Sequence, residues 1–114
     1  MARLPIRLRV SLTDTVALGP GKADLLDQVA LTGSISAAAR AMGMSYRRAW
    51  LLIAELNTCF KAHVVDTAKG GSGGGGGAVL TPFGRQVLAR YRTILKLTDR
   101  AIAADLRALA KDLR

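Results

Sequence analysis

The stretch over residues 34–52, SISAAARAMGMSYRRAWLL, constrains the fold of this chain more than any other segment. Its first half, Ser36–Met42, is rich in alanine and predicts a short helix, and a second helix is predicted to begin at Ser45. Gly43 and Met44 lie between the two helices and indicate a turn. Two short helices joined by a turn that contains glycine predict a helix-turn-helix.

The first turn of the second helix carries the strongest candidates for ligand contact, Arg47 and Arg48, which follow Ser45 and Tyr46. A guanidinium presents two parallel donors that match O6 and N7 of guanine in the major groove, but about half or more of protein–DNA hydrogen bonds go to phosphate and sugar. We therefore expect one arginine to contact a base and the other a phosphate, with Ser45 and Tyr46 as further donors. Two solvated arginines on a helix surface are the alternative.

The serines and the tryptophan around these arginines have competing interpretations. Ser34 or Ser36 is the predicted N-cap of the first helix, and Ser45 is the predicted N-cap of the second. All three serines are also candidates for DNA contact. Trp50 is the only tryptophan and falls on the outward face of the second helix. It either meets a thymine methyl or a sugar, or packs against a neighbouring element, and packing is the expected role. The second helix is predicted to run to about Phe60, with a buried stripe of Ala49, Leu52, Ile53, Leu56 and Phe60.

Composition favours a polyanionic ligand for what is predicted to be a single small domain. The 114 residues carry a formal net charge of +9, although a solvated basic surface without a ligand has the same composition. One histidine and the lack of paired carboxylates leave no catalytic constellation, and Cys59 with His63 makes only two metal ligands, so we predict no enzyme, no cofactor and no metal site. The lone cysteine and the lack of a long apolar run predict a cytoplasmic protein without a membrane partner.

Small strands and one more helix are predicted around the helix-turn-helix. Arginine alternates with apolar residues over residues 4–10, which predicts an N-terminal edge strand. Gly19-Pro20-Gly21 predicts a turn, and a helix is predicted over Lys22–Leu31 with Gly33 just beyond its end. The apolar stripe of that helix is predicted at Leu25, Leu26, Val29 and Ala30.

A glycine-rich segment, Gly70–Gly77, lies between two short apolar runs, Val64–Thr67 and Ala78–Leu80. The runs predict a β-hairpin that follows the second helix of the helix-turn-helix as a wing. The segment matches G-x-G-x-x-G, but that motif must open a helix and a strand follows here. Bare glycine backbone can approach phosphates, although ordering it costs entropy, so a loop without DNA contact is the alternative. The candidate contacts of the wing are Lys69, Gly71, Ser72 and Gly73.

Thr81 and Pro82 predict the start of a last helix, which runs to about Lys111 and measures about 45 Å. A helix of this length with an apolar seam predicts a homodimer, and a seam that folds back on its own domain is the alternative. The predicted dimerisation residues are Leu88, Tyr91, Leu95, Ile102 and Leu109. The chain is thereby divided into a winged helix-turn-helix DNA-binding domain, residues 1–82, and a C-terminal dimerisation helix, residues 83–114.

Three segments together resemble one known family: GSISAAARAMGMSYRRAW at residues 33–50, GGSGGGGGAVLTPFG at 70–84 and QVLARYRTIL at 86–95. They resemble the N-terminal DNA-binding domain of the ModE family of molybdate-responsive bacterial transcription regulators, and the helix-turn-helix is more loosely similar to that of LysR-type regulators. The resemblance implies a mainly α fold with a small β component, dimerised through helices, that controls genes of molybdate transport and molybdoenzymes. Matching positions imply DNA contact by Ser36, Ser45, Tyr46, Arg47 and Arg48, and a wing contact by Lys69.

Members of that family carry C-terminal molybdate-binding domains, for which these 114 residues leave no room. We therefore expect that this chain does not bind molybdate directly. The expected function is a regulator that binds an inverted-repeat operator in double-stranded DNA as a homodimer. The alternatives are a winged-helix protein-interaction module, the partner subunit of a separate sensor protein, and a nonspecific DNA binder.

Overall fold

The computed structural model describes residues 6–68 and 77–114, and these form a mainly α structure with two small antiparallel sheets. The elements follow the order β1 (Val10–Ser11), β2 (Ala17–Leu18), α1 (Pro20–Thr32), α2 (Ile35–Ala41), α3 (Tyr46–Cys59), β3 (Val65–Thr67), β4 (Ala78–Leu80) and α4 (Pro82–Lys111). Strand β1 pairs with β2, and β3 pairs with β4. The mainly α fold with a small β component predicted from the sequence is confirmed.

One aliphatic core joins the three shorter helices, the β3–β4 sheet and the beginning of α4. The stripe of α1 buries Leu25, Leu26 and Val29, but Ala30, predicted to belong to it, is exposed. That prediction is wrong because the elements that pack on α1, chiefly α2 and β4, do not cover this position. The stripe of α3 is buried at Ala49, Ile53 and Leu56 and partly buried at Leu52 and Phe60, as the spacing predicts.

Glycine and proline set the bounds of α1 differently from the sequence prediction. Pro20 is the first residue of α1 and Gly21 the second, so the segment predicted as a turn is the first turn of the helix. Proline is tolerated there because the first N–H groups of a helix have no intrahelical acceptor. At the other end, Gly33 has φ 69° and its N–H bonds to the carbonyl of Val29, which confirms it as the residue that ends α1.

The N-terminal strand predicted over residues 4–10 is wrong in extent. Residues 4 and 5 lie outside the described residues, residues 6–9 pair with no strand, and the strand begins only at Val10, opposite Leu18. The alternation that suggested a strand is present, since Ile6, Leu8 and Val10 are partly buried between exposed arginines. The segment therefore packs as an extended arm, and the partner strand is only two residues long.

Helix α4 starts and ends where the sequence predicts, with Thr81 as its N-cap. Its first turns belong to the core, because a Cβ atom at Gly84 would overlap the carbonyl oxygen of Val64 and lie 2.7 Å from Cδ1 of Leu80. Arg92 of α4 forms an ion pair with Asp27 of α1. The longest dimension of the described residues is 59 Å, and no residue in the second half of α4 is fully buried.

Candidate nucleic-acid interface

The turn between α2 and α3 is closed by main-chain hydrogen bonds that require glycine at one position. The Met42 N–H bonds to the carbonyls of Ala38 and Ala39, and the Met44 N–H bonds to Ala39 at 3.0 Å. Gly43 between them has φ 67°, a left-handed conformation that glycine adopts without steric cost. Ala38 and Ala39 are buried, so small side chains let α2 lie close to its neighbours.

Two serines begin the helices of this pair. The Ser34 hydroxyl accepts a hydrogen bond from the Ala37 N–H at 3.1 Å, and the Ser45 hydroxyl accepts one from the Arg48 N–H at 3.1 Å. Of the two predicted caps for α2, Ser34 is therefore the one observed, and Ser36 lies exposed in the first turn. Each cap satisfies one of the N–H groups that the start of a helix leaves unpaired.

The cap at Ser45 places Tyr46, Arg47 and Arg48 in the first turn of α3, and all three are exposed. Ala49, which follows directly, is fully buried and anchors this turn on the core. No acidic residue lies in that turn, so the two guanidinium groups face the positive end of the helix dipole without compensation. An exposed turn that is unfavourable for its own helix suits a negatively charged ligand, because the ligand would interact with both arginines and with the dipole.

Trp50 is 48% exposed and lies outside the buried core. The role predicted for it, packing against a neighbouring element, stays a prediction, since the core formed by the described residues does not include it. Ala49 and Ile53, on the other side of α3, make the contacts with the core. The indole is available on the same exposed surface as Tyr46 and adjoins the arginine pair in sequence.

The wing is present as the strand pair β3–β4, with Val65 opposite Leu80 and Thr67 opposite Ala78. Beyond Thr67 the Ala68 N–H bonds to the carbonyl of Gly77 at 2.9 Å. The Ala78 N–H bonds to the carbonyl of Gly33, which fixes β4 to the start of the helix-turn-helix. The predicted wing contacts, Lys69, Gly71, Ser72 and Gly73, lie outside the described residues.

Asn57 is a residue of this region that the sequence analysis missed. Its Oδ1 accepts hydrogen bonds from the N–H groups of Val64 at 2.7 Å and Val65 at 3.3 Å, and its Nδ2 donates to the Val65 carbonyl at 3.0 Å. The side chain thus joins α3 to the first strand of the wing. An asparagine within a helical pattern gives no sequence signal for this role, because its partners lie beyond the end of the helix.

The five predicted dimerisation residues fall into two groups in the structure. Leu88 and Tyr91 are 8% and 2% exposed in the core of the chain itself, so they are not available as the centre of a subunit interface. For these two residues the fold-back alternative applies, since the start of α4 packs on α1 and β4. Leu95 and Ile102 are partly buried, and Leu109 is exposed.

No group of three or more histidine, cysteine or acidic side chains in the described residues could hold a metal ion. Cys59 is a free thiol whose pKa is raised by burial, and His63 contacts Asp66 with 3.2 Å between Nδ1 and Oδ1. Among the described helices none combines the length and the apolar character needed to cross a bilayer. The exposed polar surface at the start of α3 is the remaining candidate site.

A capped helix pair around a glycine turn, followed by a two-stranded hairpin, defines a winged helix-turn-helix. The family described as "Bacterial regulatory helix-turn-helix protein, lysR family" matches residues 22–85, and the chain belongs to this family. The match spans α1 to the first turn of α4, so it includes the exposed arginines and the wing.

Curated relatives of known name are similar to most of this chain. It is 47% identical over 77 residues to the molybdenum-pterin-binding protein MopB of Rhodobacter capsulatus, a match that covers 68% of this chain and 28% of that protein. It is 38% identical over 96 residues to the DNA-binding transcriptional dual regulator ModE of Escherichia coli K12, with 84% of this chain and 36% of ModE covered. The chain therefore spans about a third of the length of these relatives.

Proposed function

We propose that this protein is a transcription regulator that binds double-stranded DNA with the first turn of α3 in the major groove. The observation that carries the proposal is the Ser45 cap, which presents Tyr46, Arg47 and Arg48 together on an exposed helix start. Membership of a family of bacterial regulatory helix-turn-helix proteins supports it. The net charge of +9 supplies the long-range attraction to phosphates.

We further propose that it acts as a homodimer on an inverted repeat and controls genes related to molybdenum. Helix-turn-helix dimers bind two half-sites whose symmetry matches that of the protein. The molybdenum proposal comes from the names of the relatives, which include a molybdenum-pterin-binding protein and ModE regulators. Selection of bound genomic fragments, from cells grown with and without molybdate, identifies the operator. Fragments with no shared inverted repeat would contradict the operator proposal.

Arg47→Ala tests whether the first turn of α3 contacts DNA. We expect it to weaken operator binding by about 1–3 kcal/mol, because it removes a bidentate base contact or a phosphate contact. Titrations at several salt concentrations separate the two roles, since a lost phosphate contact lowers the slope of log affinity against log salt by about one and a lost base contact leaves it unchanged. Helix stability should not fall, because the substitution removes a cation from the positive end of α3.

Lys61→Ala is the matched control for this substitution. Lys61 is an exposed cation just beyond the other end of α3, so the change in net charge is the same and the position is different. Equal losses of affinity in the two variants would mean that only net charge matters. The protein would then be a nonspecific DNA binder and not a sequence-specific regulator. An unchanged affinity in Arg47→Ala would remove this arginine from the interface.

A protein-interaction module is the second candidate function, and the exposure of Trp50 and Leu51 on α3 is the observation that favours it. Exposed aromatic residues are typical of protein interfaces as well as of contacts with DNA. Mobility shifts with genomic fragments at physiological salt decide between the two, because an interaction module would bind none of them.

A further inference from the structure

We propose that the hydrogen bonds made by Asn57 and Thr81 to the peptide groups around Val64 fix the angle between α3 and α4, and so set the spacing of the two half-sites that a dimer accepts. We call this arrangement the Val64 junction. Asn57 and Thr81 are positioning residues in it, since they act through α3 and α4 rather than by contact with DNA. The inference rests on the proposed function, because it concerns which half-site spacing a dimeric DNA-binding protein accepts.

On the α3 side, the junction satisfies buried main-chain groups with a single side chain. Val64 and Val65 are 0% and 1% exposed, so their polar groups have no access to water. The Asn57 amide accepts from both N–H groups and donates to the Val65 carbonyl. A buried N–H without an acceptor is costly, so this geometry holds Asn57, and with it the end of α3, in one orientation.

On the α4 side, Thr81 binds the same segment. Its N–H donates to the Val64 carbonyl at 2.9 Å, and its hydroxyl donates to the carbonyl of His63 at 2.7 Å while it accepts from the Gly84 N–H at 2.8 Å. In the described part of the chain, Thr81 and Tyr91 are the buried residues whose side chains carry a polar group. Gly84 lets the first turn of α4 approach the Val64 carbonyl closely, because any Cβ atom there would overlap it.

Direct packing between α3 and α4 is sparse, although both helices also pack on α1, so the junction is the direct polar connection between them. The ring centroids of Phe60, at the end of α3, and Phe83, in the first turn of α4, lie 5.6 Å apart in an edge-to-face arrangement. Apolar contact of this kind tolerates sliding and rotation, whereas hydrogen bonds have preferred angles. The hydrogen bonds therefore define the angle, and the phenylalanines supply contact.

The distance between the junction and the DNA-reading turn amplifies any change of angle. Asn57 lies eleven residues beyond Tyr46 along α3, or about 16 Å. A rotation of roughly 10° at the junction would therefore move the arginines by about 3 Å, which is similar to the rise of about 3.4 Å per base pair. Because α4 carries the proposed dimer contact, this angle determines how far apart the two copies of α3 stand.

The experiment measures operator-spacing preference and half-site affinity separately. Operators with the selected spacing, and with spacings one and two base pairs longer or shorter, are compared with a single half-site at low salt. We expect the unmodified chain to prefer one spacing by about fivefold or more, a typical coupling between two sites. In Asn57→Ala and Thr81→Val this preference should fall below about twofold, while the half-site affinity of the folded protein changes by less than about twofold.

Two matched variants keep the junction and should keep the preference. Thr81→Ser retains the hydroxyl, and Thr58→Ala alters the residue next to Asn57, whose hydroxyl bonds only within α3 to the Ala54 carbonyl at 2.9 Å. Circular dichroism and thermal unfolding establish the folded fraction of each variant. If Asn57→Ala does not fold, Thr81→Val decides, and if neither folds at low temperature the junction serves stability alone and the inference is rejected.

The inference also fails if folded Asn57→Ala or Thr81→Val keeps the original spacing preference, or if the unmodified chain is indifferent to spacing. Failure of the proposed function looks different, since the unmodified chain would then bind neither the operator nor the half-site. The inference is supported if Asn57→Ala and Thr81→Val both lose the spacing preference and both retain half-site binding.

Discussion

At the scale of single residues, buried polar side chains tie distant parts of the chain together. Tyr91 is almost completely buried, and its hydroxyl donates to the Leu8 carbonyl at 2.7 Å, which joins α4 to the N-terminal arm. Burial raises the pKa of the Tyr91 phenol above its ordinary value of 10.0, and the Asp24 carboxylate raises it further. The neutral phenol is therefore the form that the folded state favours.

Tyr91→Phe tests the hydrogen bond between Tyr91 and Leu8 through the change in the free energy of unfolding at alkaline pH. A group with a raised folded-state pKa contributes stability that is present below its unfolded pKa and is lost as pH rises through the folded value. We expect the unmodified chain to be more stable than Tyr91→Phe at neutral pH, and the difference to shrink above about pH 10. Urea unfolding at several pH values measures it.

Tyr46→Phe is the control for this comparison, because Tyr46 is 54% exposed on α3. Both variants keep Cys59, so the thiol contributes equally to each. A stability difference between Tyr91→Phe and the unmodified chain that stays constant from neutral to strongly alkaline pH would show that the phenol does not titrate with folding.

At the scale of elements, the three helices that follow α1 share one device at their start. Ser34, Ser45 and Thr81 each accept a hydrogen bond from the N–H three residues ahead. This bond satisfies a donor that would otherwise lack a partner, and it is worth about 1 kcal/mol in typical helices. Because α2 has only seven residues, caps and tertiary packing are what make so short a helix stable.

Ser45→Ala should lower the free energy of unfolding by about 0.5–2 kcal/mol, because the Arg48 N–H loses its acceptor. We also expect weaker operator binding, since the cap holds the turn that carries the arginines. Ser36→Ala is the matched control, because Ser36 is exposed and does not cap α2. Denaturant unfolding of the three proteins compares them, and equal stabilities would show that the Ser45 cap is dispensable.

At the scale of the whole molecule, α4 is a helix of two halves. Its first turns lie in the core with Val87, Leu88 and Tyr91, and its second half carries apolar side chains that the described residues leave partly or largely exposed. On one face of this half, Leu109 is more than half exposed, and Leu95 and Ile102 are only partly buried. An uncovered apolar stripe on a projecting helix supports a second copy of this chain as its partner. The division at residue 82 remains a prediction, and residues 84–91 share the core of the first part.

Leu109→Asp should shift the dimer towards monomer by at least about tenfold in dissociation constant, because it places a charge in the proposed apolar interface. Ala104→Asp adds the same charge to an exposed residue on the far side of α4, where we expect no effect. Sedimentation equilibrium measures both variants. A dimer unaffected by Leu109→Asp would move the interface away from this stripe.

Elements set by local chemistry were predictable from the sequence alone. The Thr81-Pro82 start of α4, the Ser45 cap and the strand Ala78–Leu80 all lie where residue preferences and hydrophobic spacing predict them. The exposed positions of Tyr46 and Arg47 were predictable for the same reason, since an amphipathic helix shows its buried face in its own spacing, and Arg48, which the spacing places at the boundary of that face, is exposed as well. Their contact with DNA remains a proposal.

Features that depend on distant partners were decided only by the tertiary structure. Asn57 meets Val64 and Tyr91 meets Leu8 because the chain folds back, and no local pattern records which backbone group a polar side chain will find. Leu88 and Leu109 both belong to the apolar seam predicted for α4, yet Leu88 is buried by its own chain and Leu109 is exposed. Sequence thus determined where elements begin, end and turn their apolar faces, because those choices depend on residues within a few positions. Tertiary packing determined which faces were covered, because coverage depends on the geometry of elements far apart in the chain.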